Sequence, residues 1–131
     1  MASKYDLQVE EALPLTVQFW TKSPNTIDCV VYLRSADAIS WRRLLEVNSP
    51  EEVVKPELSF ELEPLPAKAT LWLQLGAIGR AGTPYLIGIR FLQHGKALPL
   101  SGGGKANQRE IVFEGSFVGS SWVADMEVKL K

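Results

Sequence analysis

Thr70-Leu71-Trp72-Leu73-Gln74-Leu75 alternates strictly between leucine and a polar or aromatic residue, and Leu15-Thr16-Val17-Gln18-Phe19 repeats the pattern near the N-terminus. Successive side chains of a strand point to opposite faces of its sheet, so a period of two sets one row of residues against a core and the other row outside. A helix would need its apolar positions three and four apart. Both stretches therefore read as strands with one buried face.

Working outward, Ile27, Cys29, Val31 and Leu33 form another inward set after the turn signal Lys22-Ser23-Pro24-Asn25, and pairing with the strand at 15–19 is expected. Leu58, Phe60 and Leu62 alternate with Ser59, Glu61 and Glu63. Pro64 and Pro66 then remove backbone donors, which confines that stretch to an edge or to a connection between sheets. Tyr85 to Gln93 is apolar on both faces apart from Gly88 and Arg90, as in a central strand covered on both sides or a strand at an interface; Gly76, Gly79 and Gly82 before it read as a flexible turn.

Near the C-terminus Ile111, Phe113 and Phe117 alternate with Glu110, Glu114 and Ser116. Trp122, Ala124, Met126, Val128 and Leu130 follow the loop Gly119-Ser120-Ser121, and the two runs read as a hairpin. Between residues 37 and 47 two readings compete. Asp37 is placed to cap a short helix, while Ile39, Trp41, Arg43 and Leu45 fit one face of a strand; the strand is preferred because its neighbours are strands. Glu51 to Val54, after Pro50, fits a single helical turn.

These segments predict one all-β domain over residues 1–131. The expected form is an antiparallel β-sandwich of immunoglobulin- or fibronectin-like type with about eight or nine strands. A small β-barrel is the alternative that the same strand count allows. Leu15-Thr16-Val17-Gln18-Phe19-Trp20, Val31-Tyr32-Leu33-Arg34, and Leu65-Pro66-Ala67 followed by Leu71-Trp72-Leu73 resemble the rhythm of fibronectin type III modules. The resemblance spans roughly the first two-thirds of the chain, departs from the pattern where Trp72 replaces the usual tyrosine, and implies a fold without implying a function.

Composition narrows the function classes. Hydrophobic residues at 46% and charged residues at 22% are the balance of a globular protein. With 14 basic against 15 acidic side chains the chain has no electrostatic footprint for a nucleic acid backbone. Its apolar runs stop far short of the roughly 20 residues of a membrane-spanning helix. The charged start Met1-Ala2-Ser3-Lys4-Tyr5-Asp6 lacks the apolar region of a secretory signal, so a cytoplasmic home is expected, and the single cysteine, Cys29, excludes an internal disulfide.

Motifs for catalysis are sparse. His94 stands in the turn-like Gln93-His94-Gly95-Lys96 with no metal-ligand spacing around it. A Ser-His-Asp triad is assembled in space, so sequence order does not exclude one, but no nucleophile elbow of the GxSxG form supports it. Ser101-Gly102-Gly103-Gly104-Lys105 lacks the spacing and the hydroxyl residue of a phosphate loop and reads as a mobile loop, with Asn107, Gln108 and Arg109 beside it as candidate hydrogen-bonding residues. The acid pairs Glu10/Glu11, Glu51/Glu52 and Glu61/Glu63 read as solvated surface rather than a glycosidase pair. Cys29 lies on the apolar parity of its strand, as a small core side chain does.

Aromatic residues are the informative remainder. Trp20, Tyr32 and Trp72 oppose the inward parity of their own strands, and together they are expected to form an outer aromatic patch. The sequence thus leads to a non-catalytic binding or assembly module, without cofactor or metal, that acts through protein contacts, self-association included. Carbohydrate recognition, with Trp20, Trp72 or Trp122 stacking on a sugar ring and Asn107 or Gln108 contacting hydroxyls, is the alternative. A small barrel around an apolar ligand is the third reading.

Overall fold

The computed structural model describes residues 3–10, 13–21, 26–48, 57–66, 68–102 and 105–131. The turn at Lys22–Asn25, the segment Glu51 to Val54, Glu11 and the pair Gly103-Gly104 lie outside the described residues.

Among the described residues every regular element is a strand: β1 (Ser3–Leu7), β2 (Leu15–Thr21), β3 (Thr26–Arg34), β4 (Arg42–Asn48), β5 (Glu57–Leu62), β6 (Thr70–Ile78), β7 (Pro84–Gln93), β8 (Lys96–Ala97), β9 (Leu100–Gly102), β10 (Lys105–Gln108), β11 (Ile111–Ser116) and β12 (Ser121–Leu130). They form a seven-stranded sheet in the order β10-β9-β1-β12-β6-β3-β4 and a five-stranded sheet containing β11-β7-β2-β5, with β8 paired to β7. The two open sheets are consistent with a β-sandwich and replace the closed barrel, which needs one sheet joined edge to edge.

The core forms because the inner rows of both sheets meet. Leu71, Leu73 and Leu75 of β6 and Cys29, Val31 and Leu33 of β3 pack with Leu15, Val17 and Phe19 of β2 and Ile89 and Phe91 of β7, all buried in one cluster. The alternation thus assigns these faces correctly. The chain also changes sheet at Pro64 and Pro66, passing from β5 in one sheet to β6 in the other. Strand β7 is central, flanked by β2 and β11, and its sharp turn His94-Gly95 into β8 takes positive φ at both residues (54° and 72°), the two-residue hairpin geometry whose twist suits the strands.

Four expectations about neighbours are corrected. Strands β2 and β3 do not pair but lie in opposite sheets. The seven-stranded sheet is not wholly antiparallel, because β1 runs parallel to β12 in the register Tyr5↔Val128. Gly76 is not part of a turn: it lies inside β6, and the turn before β7 is left to residues such as Gly82, at φ 84°. Most consequentially, β11 and β12 are not a hairpin. β11 pairs with β7, as Phe113↔Ile87, while β12 pairs with β6, as Met126↔Leu73.

The linking segment carries Phe117, 3% exposed, between the sheets against Ile27, Ala77 and Ile87. Its backbone is tied to the β6–β7 turn by the Phe117 amide donating to the Thr83 carbonyl at 2.9 Å and the Gly82 amide donating to the Phe117 carbonyl at 2.7 Å. Phe113, Trp122, Tyr85 and Phe117 make successive ring contacts with centroids 5.1, 5.1 and 5.3 Å apart, so a run of aromatics joins one sheet to the other. Trp122 therefore faces inward and is no sugar platform. Between 37 and 47 the strand reading holds from Arg42 onward, but Arg43 and Leu45 do not share a face. Val31 pairs with Leu45 and Tyr32 with Arg43, so a bulge at Leu44 of β4 sets Leu45 against the core and Arg43 outward beside Tyr32. Ile39, 97% exposed, belongs to the preceding turn and not to the strand.

Burial ranks the cost of truncation. Phe91→Ala, at a fully buried position of β7, is expected to cost about 3–5 kcal/mol in equilibrium denaturation. Phe113→Ala, at a half-buried ring, is expected to cost less. Equal losses would contradict the burial order.

Candidate functional site

The inward leucines of β6 force Trp72, Gln74 and Gly76 onto the outer face of the seven-stranded sheet. Register then sets their neighbours in rows: Tyr32, Trp72 and Glu127; Val30, Gln74 and Asp125; Asp28, Gly76 and Val123. In the first row Tyr32 and Trp72 have ring centroids 5.1 Å apart at 31°. Trp41, entering β4, adds a third ring 5.5 Å from Trp72, and the Arg34 guanidinium lies 4.6 Å from the Trp41 centroid, within cation–π range. Trp72 Nε1 donates to Asp125 Oδ2 at 3.3 Å, which ties the indole of β6 to the neighbouring strand β12. The three rings are half-buried and form a shelf.

Beside this shelf a groove of about 450 Å³ runs across β3, β6 and β12, lined by Asp28, Val30, Gln74, Gly76, Val123 and Asp125 among others. Gly76 makes it a groove. A Cβ there would meet only the Trp122 carbonyl oxygen at 3.8 Å and the Asp28 Cβ at 4.0 Å, so the missing side chain is empty surface rather than a packing requirement. Val123 is 79% exposed and Ile78 48% exposed at its rim.

Trp20 also faces outward, as its parity predicts, but from the other sheet. It therefore shares no patch with Tyr32 and Trp72, which corrects the expectation of a single aromatic surface. Its indole lies on Gly88, where any Cβ would overlap the ring. Trp20 Nε1 donates to Glu110 Oε2 at 3.1 Å, and Arg90 Nε donates to the same oxygen at 2.9 Å. Arg90 Nη1 continues to Gln18 Oε1 at 3.1 Å, and Gln18 Nε2 donates to Ser59 Oγ at 3.1 Å. This chain of bonds binds the outer face of the smaller sheet together and occupies the tryptophan.

Gln108 and Arg109 sit at the β10 end of the larger sheet, four strands from β6 and so about 19 Å away at roughly 4.8 Å per strand. Gln108 Nε2 donates to the Gly102 carbonyl at 3.4 Å and Arg109 Nη1 to the Ala97 carbonyl at 2.7 Å, which makes both of them local ties. Asn107 lies in β10, and its side chain is outside the described residues. Of the six sequence candidates the fold thus brings together Tyr32 and Trp72. Trp41, Asp28, Gln74, Gly76 and Asp125 were missed as site residues, although a glycine inside an alternating strand is itself a signal of a close approach or an opening.

His94 occupies the β7–β8 turn, with Nε2 3.5 Å from Glu10 Oε2 above a second groove of about 590 Å³. Gln93, 5% exposed, anchors the segment between β1 and β2: its Oε1 accepts from the Glu10 amide at 2.9 Å and its Nε2 donates to the carbonyls of Glu10 at 3.1 Å and Leu13 at 3.4 Å. Glu61 and Glu63 are both exposed. Among the described residues no three His, Cys, Asp or Glu side chains are grouped to hold a metal, and no helix is long and apolar enough to cross a membrane. Burial pushes the Cys29 thiol up to about 12, which keeps it protonated and unreactive.

No family model matches the chain, and no curated protein matches it. Solved structures do. A domain of unknown function, DUF4425, from Bacteroides vulgatus ATCC 8482 is similar over 94% of this chain and 98% of that one, with TM-score 0.54 and 8% identity. A DUF4425 family protein from Bacteroides ovatus ATCC 8483 is similar over 90% and 95%, with TM-score 0.52 and 12% identity. At such identities the likeness is one of fold.

Two expectations follow from the seated side chains. Gly88→Ala is expected to destabilise the protein by displacing the Trp20 ring, and part of that loss should return in the Gly88→Ala, Trp20→Ala double variant; strict additivity in denaturation would show that the two do not meet. For Cys29 the folded thiol titrates above its ordinary 9.0, so between about 9 and 12 the unfolded state loses a proton that the folded state keeps. Stability from this group is complete below pH 9 and declines as pH rises toward 12. The alkaline loss of stability should accordingly be smaller in Cys29→Ala than in the parent chain.

Proposed function

We propose that this chain is a non-catalytic binding module whose contact site is the outer face of the seven-stranded sheet. The observation that carries the reading is the shelf of Tyr32, Trp41 and Trp72, oriented by Asp125 and bordered by a groove of about 450 Å³. Concave sites of about 300–1,000 Å³ with aromatic walls and a few polar groups are the usual form of a ligand site. Contact with a protein, a second copy of this chain included, is supported by Ile78 and Val123, which extend the apolar surface beyond the groove.

Strands β2, β3, β4, β5 and β6 visit the two sheets in the order of strands B, C, C′, E and F of an immunoglobulin-type sandwich, with β5 beside β2 and with β3 between β4 and β6. Strand β12 then lies beside β6 in the place of G. This connectivity supports an immunoglobulin- or fibronectin-like class in which β7 to β11 are added before the last strand.

Amide shifts in ¹⁵N-labelled protein on adding a mixture of small aromatic, amide and polyol fragments test the site. They are expected to cluster at Tyr32, Trp72, Gln74 and Gly76; clustering at His94 and Glu10 instead would overturn the assignment. If the face pairs with a second copy, sedimentation will show a concentration-dependent dimer that Val123→Lys abolishes, and a monomer at every concentration removes that form of the reading.

A further inference from the structure

We infer that the occupant of this face is a short neutral oligosaccharide, with one ring stacked on the Trp72 shelf and an adjoining ring held over Gly76 between Asp28 and Asp125. The inference rests on the binding-module reading of the same face and supplies its ligand class.

Charge along the site selects a neutral ligand. At the groove end Asp28 and Asp125 flank Gly76 and Gln74, and no lysine or arginine is among the described residues lining it, so an anion is repelled there. At the shelf end the charges are balanced and not acidic: Arg34 covers Trp41, Arg43 beside Tyr32 pairs with Glu46 at 3.1 Å, and Glu127 is the register partner of Trp72. A cation stacked on Trp41 meets the Arg34 guanidinium that already lies there. An uncharged molecule long enough to touch both ends meets neither repulsion.

Hydrogen-bonding capacity selects hydroxyl groups. An ionised carboxylate only accepts, and a glutamine side chain both donates and accepts. Asp125 spends Oδ2 on Trp72 Nε1, which leaves Oδ1 directed to no other described residue. Asp28 and Gln74 make no side-chain hydrogen bond among the described residues. The groove therefore presents acceptors in excess with one amide donor, which suits a ligand rich in O–H donors that can also accept.

Shape selects a chain of rings over a single one. Trp72 and Gly76 lie on the same face of β6, four residues and so about 13 Å apart at roughly 3.3 Å per residue. A single sugar ring does not cover that span, whereas adjoining rings do. The negative faces of the indole and phenol attract the C–H face of a pyranose, whose hydrogens carry partial positive charge, and the hydroxyls at its edge remain for the carboxylates.

The experiment is a titration of the intact chain, by tryptophan fluorescence and calorimetry, with neutral gluco-, manno-, galacto- and xylo-oligosaccharides of two to six rings, beside trilysine and a sulfated oligosaccharide as charged probes. At least one neutral series is expected to bind, with affinity rising from the monosaccharide to the longer members. Gly76→Val is expected to lower that affinity at least about tenfold by filling the groove, with the melting temperature preserved because a Cβ there makes only ordinary contacts. Trp72→Ala should lower it by a similar factor, and Trp20→Ala should not. Absence of binding by every neutral series overturns the ligand class, as does binding by trilysine or the sulfated probe alone. If those charged probes still shift Gly76 and Trp72 amides, the contact face survives the loss of its proposed ligand; if a bound oligosaccharide is unaffected by Gly76→Val and shifts amides elsewhere, both readings fall.

Discussion

Three leucines on one side of β6 constrain the rest of the molecule. Leu71, Leu73 and Leu75 are each 3% exposed or less, and β6 has β3 on one side and β12 on the other. Because the side-chain period of a strand is two, a slip of one residue would bring all three leucines to water and turn Trp72 and Gln74 into the core. At about 1.5–3 kcal/mol for each buried leucine, that slip is far outside the few kcal/mol by which local choices compete. Once β6 is locked, the registers Tyr32↔Trp72 and Gln74↔Asp125 follow, and with them the shelf and the groove. The candidate site is thus a by-product of core packing seen from the opposite face.

Two outward tryptophans show how much the opposite strand decides. Trp20 and Trp72 obey the same parity rule, yet Trp20 finds a glycine beneath its ring and the carboxylate of Glu110 at its nitrogen, within a run of polar bonds that reaches Ser59. Trp72 finds other rings beside it and Asp125 at its nitrogen. Both indole N–H groups are satisfied, as half-buried donors need to be. The difference lies in what stands next in the row: Gly88 receives Trp20, whereas Gly76 receives nothing and leaves a groove.

The crossing from β11 to β12 illustrates a different dependence. An alternating pattern on both sides of a Gly-Ser-Ser loop satisfies every local condition for a hairpin, and the inward residues Ile111, Phe117, Met126, Val128 and Leu130 are indeed buried. The chain nevertheless crosses between sheets there, because Phe117 fills the space beside Ile27, Ala77 and Ile87, and because Phe113, Tyr85 and Trp122 make a continuous aromatic contact that needs one ring from the larger sheet. Burial of those rings at the end of the two layers outweighs the short loop closure of a hairpin, whose entropic advantage grows only slowly with the length saved.

What the amino-acid order determined by itself is the face on which each side chain lies: the buried rows of β2, β3 and β6, the change of sheet at Pro64 and Pro66, the interior place of Cys29, and the outward aim of Trp20, Tyr32 and Trp72. Each follows from a local property, a period of two or a missing donor, that needs no partner to express. Which strands are neighbours was decided only in the tertiary structure, and with it the separation of Trp20 from Trp72, the parallel pairing of β1 with β12, and the meeting of Tyr32, Trp41, Trp72, Asp28 and Asp125 around Gly76. The physical reason is that alternation specifies a direction normal to the sheet, whereas pairing is a choice within its plane, made by the packing of all rows at once and by backbone groups that are the same in every residue.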